Sequence, residues 1–274
     1  MLDLWRHRTL TRSSMACGIS RLGEAARLAR GTIGRWPGQC AFCRSWCRGP
    51  LCPACETLHP LDDGPRCALC ALRLPAGGLA PRCGRCAAHP PPLSRCVAAM
   101  DYAFPWDRLL LALKFGERLE LAPLLAARLS HAVARALEDA GNAGDSGNAG
   151  HPDEGAPDLI VPVPLSIERL RERGYNQAHE IARRLALPAA ERQSRLCAAT
   201  LLRVRHTGQQ AQLPLDERRR NLRGAFAVVK PVRGLRVALV DDVMTSGATL
   251  HEAAIALRRA GAADVQAWVA ARTP

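Results

Sequence analysis

Lysine is nearly missing from this sequence. Lys114 and Lys230 are the only two in 274 residues, so arginine carries almost all of a net charge of +13. Aromatic residues are also scarce, at 4%. A core must therefore be built from Leu, Val and Ala, and few flat side chains remain to stack nucleic-acid bases. No apolar run approaches the length of a membrane-spanning helix. Residues 1–36 carry arginines but lack the apolar centre of a secretory signal. The expectation is a cytoplasmic chain without membrane insertion, opening on a disordered or weakly helical leader. Met15 lies inside that leader, so an over-long gene start is an alternative. Two nucleotide-binding patterns are missing as well. There is no Gly-x-x-x-x-Gly-Lys-Ser/Thr run and no strand-linked Gly-x-Gly-x-x-Gly, so mononucleotide P-loop and dinucleotide readings lose ground.

The length allows one α/β domain plus a smaller module, and a hydrophobic content of 48% is ordinary for a globular protein. The basic balance favours anionic partners such as phosphates or nucleic acid. Compositional drift toward Arg and Ala in a GC-rich genome produces the same balance.

The organising stretch is Arg236-Val237-Ala238-Leu239-Val240-Asp241-Asp242-Val243-Met244-Thr245-Ser246-Gly247-Ala248-Thr249-Leu250. Val237 to Val240 read as a strand buried on both faces. Asp241 and Asp242 stand where that strand is expected to end. A turn of hydroxyls and glycine follows, and then a helix with the apolar stripe Leu250, Ala253, Ala254, Leu257, closed near Gly261. In an open α/β sheet, ligands bind beyond the carboxyl ends of the strands. A helix N-terminus offers free N–H groups to a phosphate. Gly247 allows close backbone approach, and Thr245, Ser246 and Thr249 add hydroxyls. Ionised Asp241 and Asp242 only accept hydrogen bonds, which suits a ribose diol. A strand ending in a solvated Asp-Asp turn is the bland alternative. It gains little from a second, repelling carboxylate.

Eight of the twelve cysteines form four Cys-x-x-Cys pairs: Cys40/Cys43, Cys52/Cys55, Cys67/Cys70 and Cys83/Cys86. Two such knuckles complete a four-thiolate zinc site, and repeated pairs in a cytosolic chain read as metal sites rather than disulfides. Sequence order joins the first two pairs into one ribbon and the last two into another; an interleaved pairing also satisfies the spacing. The segment has few large apolar residues, so bound zinc is expected to supply its folding energy. Cys47 falls between knuckles as a bystander or a competing ligand. Cys17, Cys96 and Cys197 read as plain thiols.

Further along, residues 96–104 have strand character, and 106–115 form a helix with Leu109, Leu110 and Leu113 on one face. A long helix is expected over about 119–139. Residues 141–157, with Gly-Asn-Ala-Gly twice, read as a flexible, tolerated insertion. Residues 158–165 make a buried strand that prolines should end near Val161, leaving Val163 and Pro164 on the same rim as Asp241. Arg169, Arg171 and Arg173 alternate before Gly174-Tyr175-Asn176-Gln177. Arg173 is the best pyrophosphate candidate, and for Arg169 and Arg171 a solvated helix face weighs equally. Residues 201–226 read as a polar mobile loop and a short helix, and such loops often close over substrates. Residues 226–229 and 265–271 are further strands.

In this order, the Cys-x-x-Cys ribbons, Leu113-Lys114-Phe115-Gly116, Val161-Pro162-Val163-Pro164-Leu165, Arg173-Gly174-Tyr175-Asn176-Gln177, residues 218–226 and the Asp241-Asp242 motif resemble the ComF/GntX family of competence protein F-like proteins. Phe115 stands where the family often has Tyr. The resemblance implies a double zinc ribbon over 37–92 and a type I phosphoribosyltransferase fold over 93–274, a parallel sheet flanked by helices. It implies binding of phosphoribosyl pyrophosphate (PRPP) with Mg2+. Asp241 and Asp242 then orient the ribose, and residues Thr245, Ser246, Gly247, Ala248 and Thr249 hold the 5′-phosphate. Val163, Pro164, Lys114 and Arg173 serve the pyrophosphate. For some members it implies a role in DNA uptake. The alternative is a non-catalytic adaptor that contacts nucleotides or single-stranded DNA and docks to a competence helicase. No residue names an acceptor.

Overall fold

The computed structural model describes residues 38–77, 80–143, 156–187, 195–205 and 222–274. The leader at 1–36, residues 144–155 of the expected insertion and residues 206–221 of the expected mobile loop lie outside the described residues.

Two small cysteine modules come first. The strands β1 (Gly38–Gln39) and β2 (Trp46–Cys47) pair antiparallel, and helix α1 (Pro53–Leu58) follows. Helix α2 (Gly84–Ala88) closes the second module. The main domain then runs through β3 (Arg95–Asp101), α3 (Trp106–Phe115), a 3-10 turn (Leu119–Leu121) and α4 (Ala122–Ala143). It continues with β4 (Leu159–Pro162), α5 (Ile167–Arg173), α6 (Gln177–Ala182), β5 (Arg195–Leu196) and the hairpin of β6 (Leu201–Arg203) with β7 (Phe226–Val228). It ends with β8 (Arg236–Met244), α7 (Ala248–Arg259) and β9 (Asp264–Arg272).

Five strands form one all-parallel sheet in the order β3-β9-β8-β4-β5. Near-continuous apolar strands such as Val237 to Val240 are what a sheet covered on both faces requires. Alternation splits them cleanly. Cys96, Ala98, Val161, Val237, Leu239, Val265 and Ala267 share one buried cluster with the α7 stripe Leu250, Ala253, Ala254 and Leu257. Val97, Ala99, Ile160, Ala238, Val240 and Trp268 share the other with α3 and α4. Leu109, Leu110 and Leu113 of α3 are all buried there, as their spacing predicts.

Two boundary expectations need correction. The strand through Val237 to Val240 does not stop before the carboxylates: β8 carries Asp241 and Asp242 within it. The partner β9 runs equally far and pairs Asp241 with Val269 and Met244 with Arg272. Helix α4 also runs to Ala143, three residues into the segment read as a loop. The proline-limited strand ends at Pro162, the last position that pairs with β8.

The cysteine segment is not separate from the core. In the first module, Cys40, Leu51, Cys52 and Cys55 join the α3/α4 cluster, and Phe42 packs edge-on against Trp106 at 4.9 Å. In the second, Cys67, Leu69, Cys70 and Cys86 join the α7 cluster. Arg66 and Arg73 each reach Asp101 at 2.8 Å, tying that module to the end of β3. One ribbon thus covers each face of the sheet, and each ribbon borrows the apolar partners its own sequence lacks.

Candidate ligand-binding site

The strand order places the site. From β4 the chain moves outward to β5, whereas from β8 it moves the opposite way to β9. The carboxyl ends of β4 and β8 therefore flank a topological switch point, where the following loops diverge and leave a crevice. A cavity of about 590 Å³ lies there. Lys114, Val163, Pro164, Arg173, Asp241, Asp242 and Thr245 to Thr249 all border it. The structure thus brings together the non-cysteine residues to which the resemblance assigns a ligand contact. Arg169 also borders it, while Arg171 is not among the lining residues.

Because adjacent strand residues face opposite sides, the two carboxylates have different surroundings. Asp242 follows Ala238 and Val240 toward the α3 face. It is 3% exposed and pairs with Lys114 Nζ at 3.0 Å. Asp241 follows Val237 and Leu239 toward the other face, where it interacts electrostatically with Arg203 of β6. Burial, with Asp242 as the neighbouring charge, pushes the Asp241 carboxyl up to about 8, and Lys114 only partly offsets this. The side chains also replace ladder partners. Asp241 Oδ1 accepts from the Asp242 N–H at 2.9 Å, and Asp242 Oδ1 accepts from the Val243 N–H at 2.7 Å.

The turn between β8 and α7 needs its glycine. Gly247 has φ +81°, and a Cβ there would meet Met244 Cε at 2.5 Å and His251 Nε2 at 2.9 Å. The Gly247 backbone caps α7 without any side-chain cap of its own, and Gly247, Ala248 and Thr249 at the start of the helix border the cavity. Ser246 Oγ accepts weakly from the Ala248 N–H at 3.4 Å.

The Gly174-Tyr175-Asn176-Gln177 segment locks the opposite rim. Gly174, at φ +77°, ends α5. The Tyr175 hydroxyl donates to the Leu113 carbonyl, beside Lys114. Asn176 Oδ1 caps α6 by accepting from Ala178 N–H at 2.9 Å and His179 N–H at 3.3 Å, while its Nδ2 donates to the Val163 carbonyl at 2.9 Å. The Arg173 guanidinium lies over the Phe115 ring at 5.1 Å. Lys114, Val163 and Arg173 are thereby held as one unit.

Arg203 lines the cavity and was not singled out in the sequence. It sits on a three-residue strand with no motif around it, and only the β6–β7 hairpin carries it to Asp241.

The eight paired cysteines form two tetrads in sequence order, Cys40, Cys43, Cys52, Cys55 and Cys67, Cys70, Cys83, Cys86, with the ligand atoms of each within 4.8 Å of one another. Tetrahedral zinc with Zn–S near 2.3 Å requires sulfurs about 3.8 Å apart. Cys43 and Cys52 are 3.6 Å apart, and Cys70 and Cys83 are 3.7 Å apart. The thiols are also electrostatically split. Burial, followed by the neighbouring Cys43, pushes Cys55 up to about 12, while hydrogen bonding to Ser45 draws Cys43 down to about 6. A dication removes that conflict by stabilising four thiolates together, so the residues fit the metal. Cys47 stands aside and donates to the Gly49 carbonyl at 3.0 Å. Cys96 and Cys197 are buried outside the tetrads.

No helix among the described residues is long and apolar enough to cross a membrane. Comparison with known families finds no matching family model. The chain is 37% identical over 245 residues to the DNA utilization protein YhgH of Salmonella typhi, covering 86% of this chain and 98% of the relative. It is 33% identical over 246 residues to competence protein F of Haemophilus influenzae, covering 85% and 96%. Among solved structures, the glutamine PRPP amidotransferase of B. subtilis matches 54% of this chain and 26% of that one, at 23% identity and a TM-score of 0.27.

Proposed function

The chain belongs to the ComF/GntX family, and from that footing we propose that it binds PRPP with magnesium at the crevice between β4 and β8. One observation carries the reading. Segments far apart in sequence, around Lys114, Val163, Arg173 and Asp241 to Thr249, line a single cavity at the switch point. Its volume is within the usual range for a small-ligand site. The α7 N-terminus and the hydroxyls of Thr245, Ser246 and Thr249 take the 5′-phosphate. Asp242 and Asp241 accept from the ribose hydroxyls. Arg173 and the Val163–Pro164 backbone receive the pyrophosphate, with Lys114 shared between it and Asp242. Magnesium entering with the pyrophosphate would neutralise part of that charge.

The chemistry this arrangement supports is displacement of pyrophosphate from the anomeric carbon by a nucleophile. The acidic pair then stabilises positive charge on the ribose. Two structural zinc ions complete the protein, one per cysteine tetrad. The relatives' names, DNA utilization and competence, support a role in DNA uptake. Calorimetry with PRPP and magnesium tests the binding, and a screen for PRPP-dependent pyrophosphate release across bases and amines tests catalysis. Binding without release from any acceptor favours the adaptor form of the reading. No binding rejects the PRPP site.

A further inference from the structure

The back of the loop at 244–246 rests on the second cysteine ribbon. Arg272, the last residue of β9, is 5% exposed. Its Nε donates to the carbonyl of Cys70, a member of the second tetrad, at 2.9 Å. Its Nη1 donates to the carbonyls of Met244 at 3.1 Å and Thr245 at 2.7 Å, and also to that of Thr273. Arg85 belongs to α2, the helix that carries Cys86, and its Nη2 donates to the Ser246 carbonyl at 3.4 Å. A third link is the Cys96 thiol on Met244 Sδ at 3.5 Å, with the Cys96 N–H bonded to Ala68 in the ribbon at 2.8 Å.

The peptide unit is planar and trans, so the direction of one carbonyl sets the direction of the next residue's N–H. Holding the carbonyls of Met244, Thr245 and Ser246 therefore aims the N–H groups of Thr245, Ser246 and Gly247. We propose that the second ribbon is the positioning device of this loop. The metal-bound tetrad Cys67, Cys70, Cys83 and Cys86 anchors Arg272 and Arg85, and these two guanidinium groups hold the three peptide planes that face the ligand. Arg272 is a positioning residue acting from behind the site. This rests on the reading of 244–249 as a phosphate loop. The first ribbon packs on the opposite face of the sheet, so its metal has no such part.

The test uses the full chain and the variants Arg272→Met, Arg272→Lys, Arg85→Ala and Cys83→Ser, with Cys43→Ser as the first-ribbon control. Zinc content, amide hydrogen exchange and PRPP–magnesium calorimetry are measured on each. Arg272→Met should keep two zinc ions and native exchange over the core of α7. Exchange at residues 244–247 should rise at least tenfold, and PRPP affinity should fall at least tenfold. Arg272→Lys should stay loose, because one ammonium cannot span both sides. Arg85→Ala should show a smaller rise, about threefold, and Cys83→Ser a large one. Cys43→Ser should leave 244–247 unchanged. A folded, two-zinc Arg272→Met protein with native loop exchange overturns the proposal. If Arg272→Met does not fold, native loop exchange in both Arg85→Ala and Cys83→Ser overturns it. If the wild type binds no PRPP, the exchange measurements still decide the coupling, and only the functional reading fails.

Discussion

Asp241 and Asp242 are neighbours in sequence but not in environment, and their substitutions should differ. Asp242→Asn removes the partner of Lys114 and, in the proposed PRPP site, a charged acceptor for a ribose hydroxyl. A charge-assisted bond of this kind is worth roughly 1.5–3 kcal/mol, about one to two decades in affinity. Calorimetry on the folded variant checks this, and wild-type affinity would remove Asp242 from the sugar site. Asp241 instead supplies a pH dependence. Burial beside the Asp242 charge pushes its carboxyl up to about 8 in the folded chain, above the ordinary carboxylate range. The folded state therefore binds this proton more tightly than the unfolded state. Its stabilising contribution is complete at acid pH and is lost as pH rises toward about 8. A ligand that needs the ionised form should bind more tightly over the same window, by at most tenfold per pH unit, and level off above it. Asp241→Asn should flatten the binding profile and gain melting temperature relative to wild type from pH 5 to pH 8. Parallel profiles for the two proteins would show that Asp241 does not titrate there. At Gly247, alanine must adopt φ +81° and crowd Met244. The left-handed conformation alone costs about 1–2 kcal/mol. Gly247→Ala should lower both thermal stability and PRPP affinity, and an unchanged melting temperature would count against the strain.

At the scale of elements, the site depends on how α6 and the loop after β4 are joined. Asn176 uses its oxygen for the α6 cap and its amide for the Val163 carbonyl. Loss of an N-cap costs about 0.5–2 kcal/mol. Asn176→Ala should cost stability in that range and should also weaken PRPP binding, because Val163 and Pro164 lose their tether. Asn176→Asp keeps the cap but not the donor, so it should retain most of the stability and still bind weakly. Equal binding by both variants and wild type would make Asn176 a cap alone. The motif around Asn176 was readable as a break between helices, and Arg173 as a candidate contact. The tether was not readable, because Val163 lies thirteen positions away on another element.

For the whole molecule, the ribbons and the sheet should behave as one cooperative unit. The sequence suggests a cysteine segment that unfolds alone when its metal is removed. The buried clusters argue otherwise, since the tetrads complete the core on both faces of the sheet. Purified, reduced protein should hold two zinc ions, and chelation should lower the melting temperature of the whole chain in a single transition. Protein without zinc would sink the metal assignment. An unshifted main transition after chelation would show that the domain does not depend on its ribbons.

The sequence by itself determined the elements that depend on local pattern. Apolar runs marked β4 and β8, helical spacing marked α3 and α7, and Cys-x-x-Cys spacing marked the eight paired cysteines while leaving their grouping into tetrads to the structure. The hydroxyl-rich turn after the acidic pair marked the loop that leads into α7 and borders the cavity. Tertiary structure decided what depends on neighbours. How far β8 runs was set by β9, which extends beside it and pairs with Asp241, Val243 and Met244, so the strand continues through the acidic pair. The different roles of Asp241 and Asp242 followed from strand alternation against two different faces. Arg203 and Arg272 carry no local signal, because an arginine looks the same in sequence whether it is solvated or buried against carbonyls. Their places were settled by the packing of the hairpin and of the second ribbon, which no spacing along the chain records.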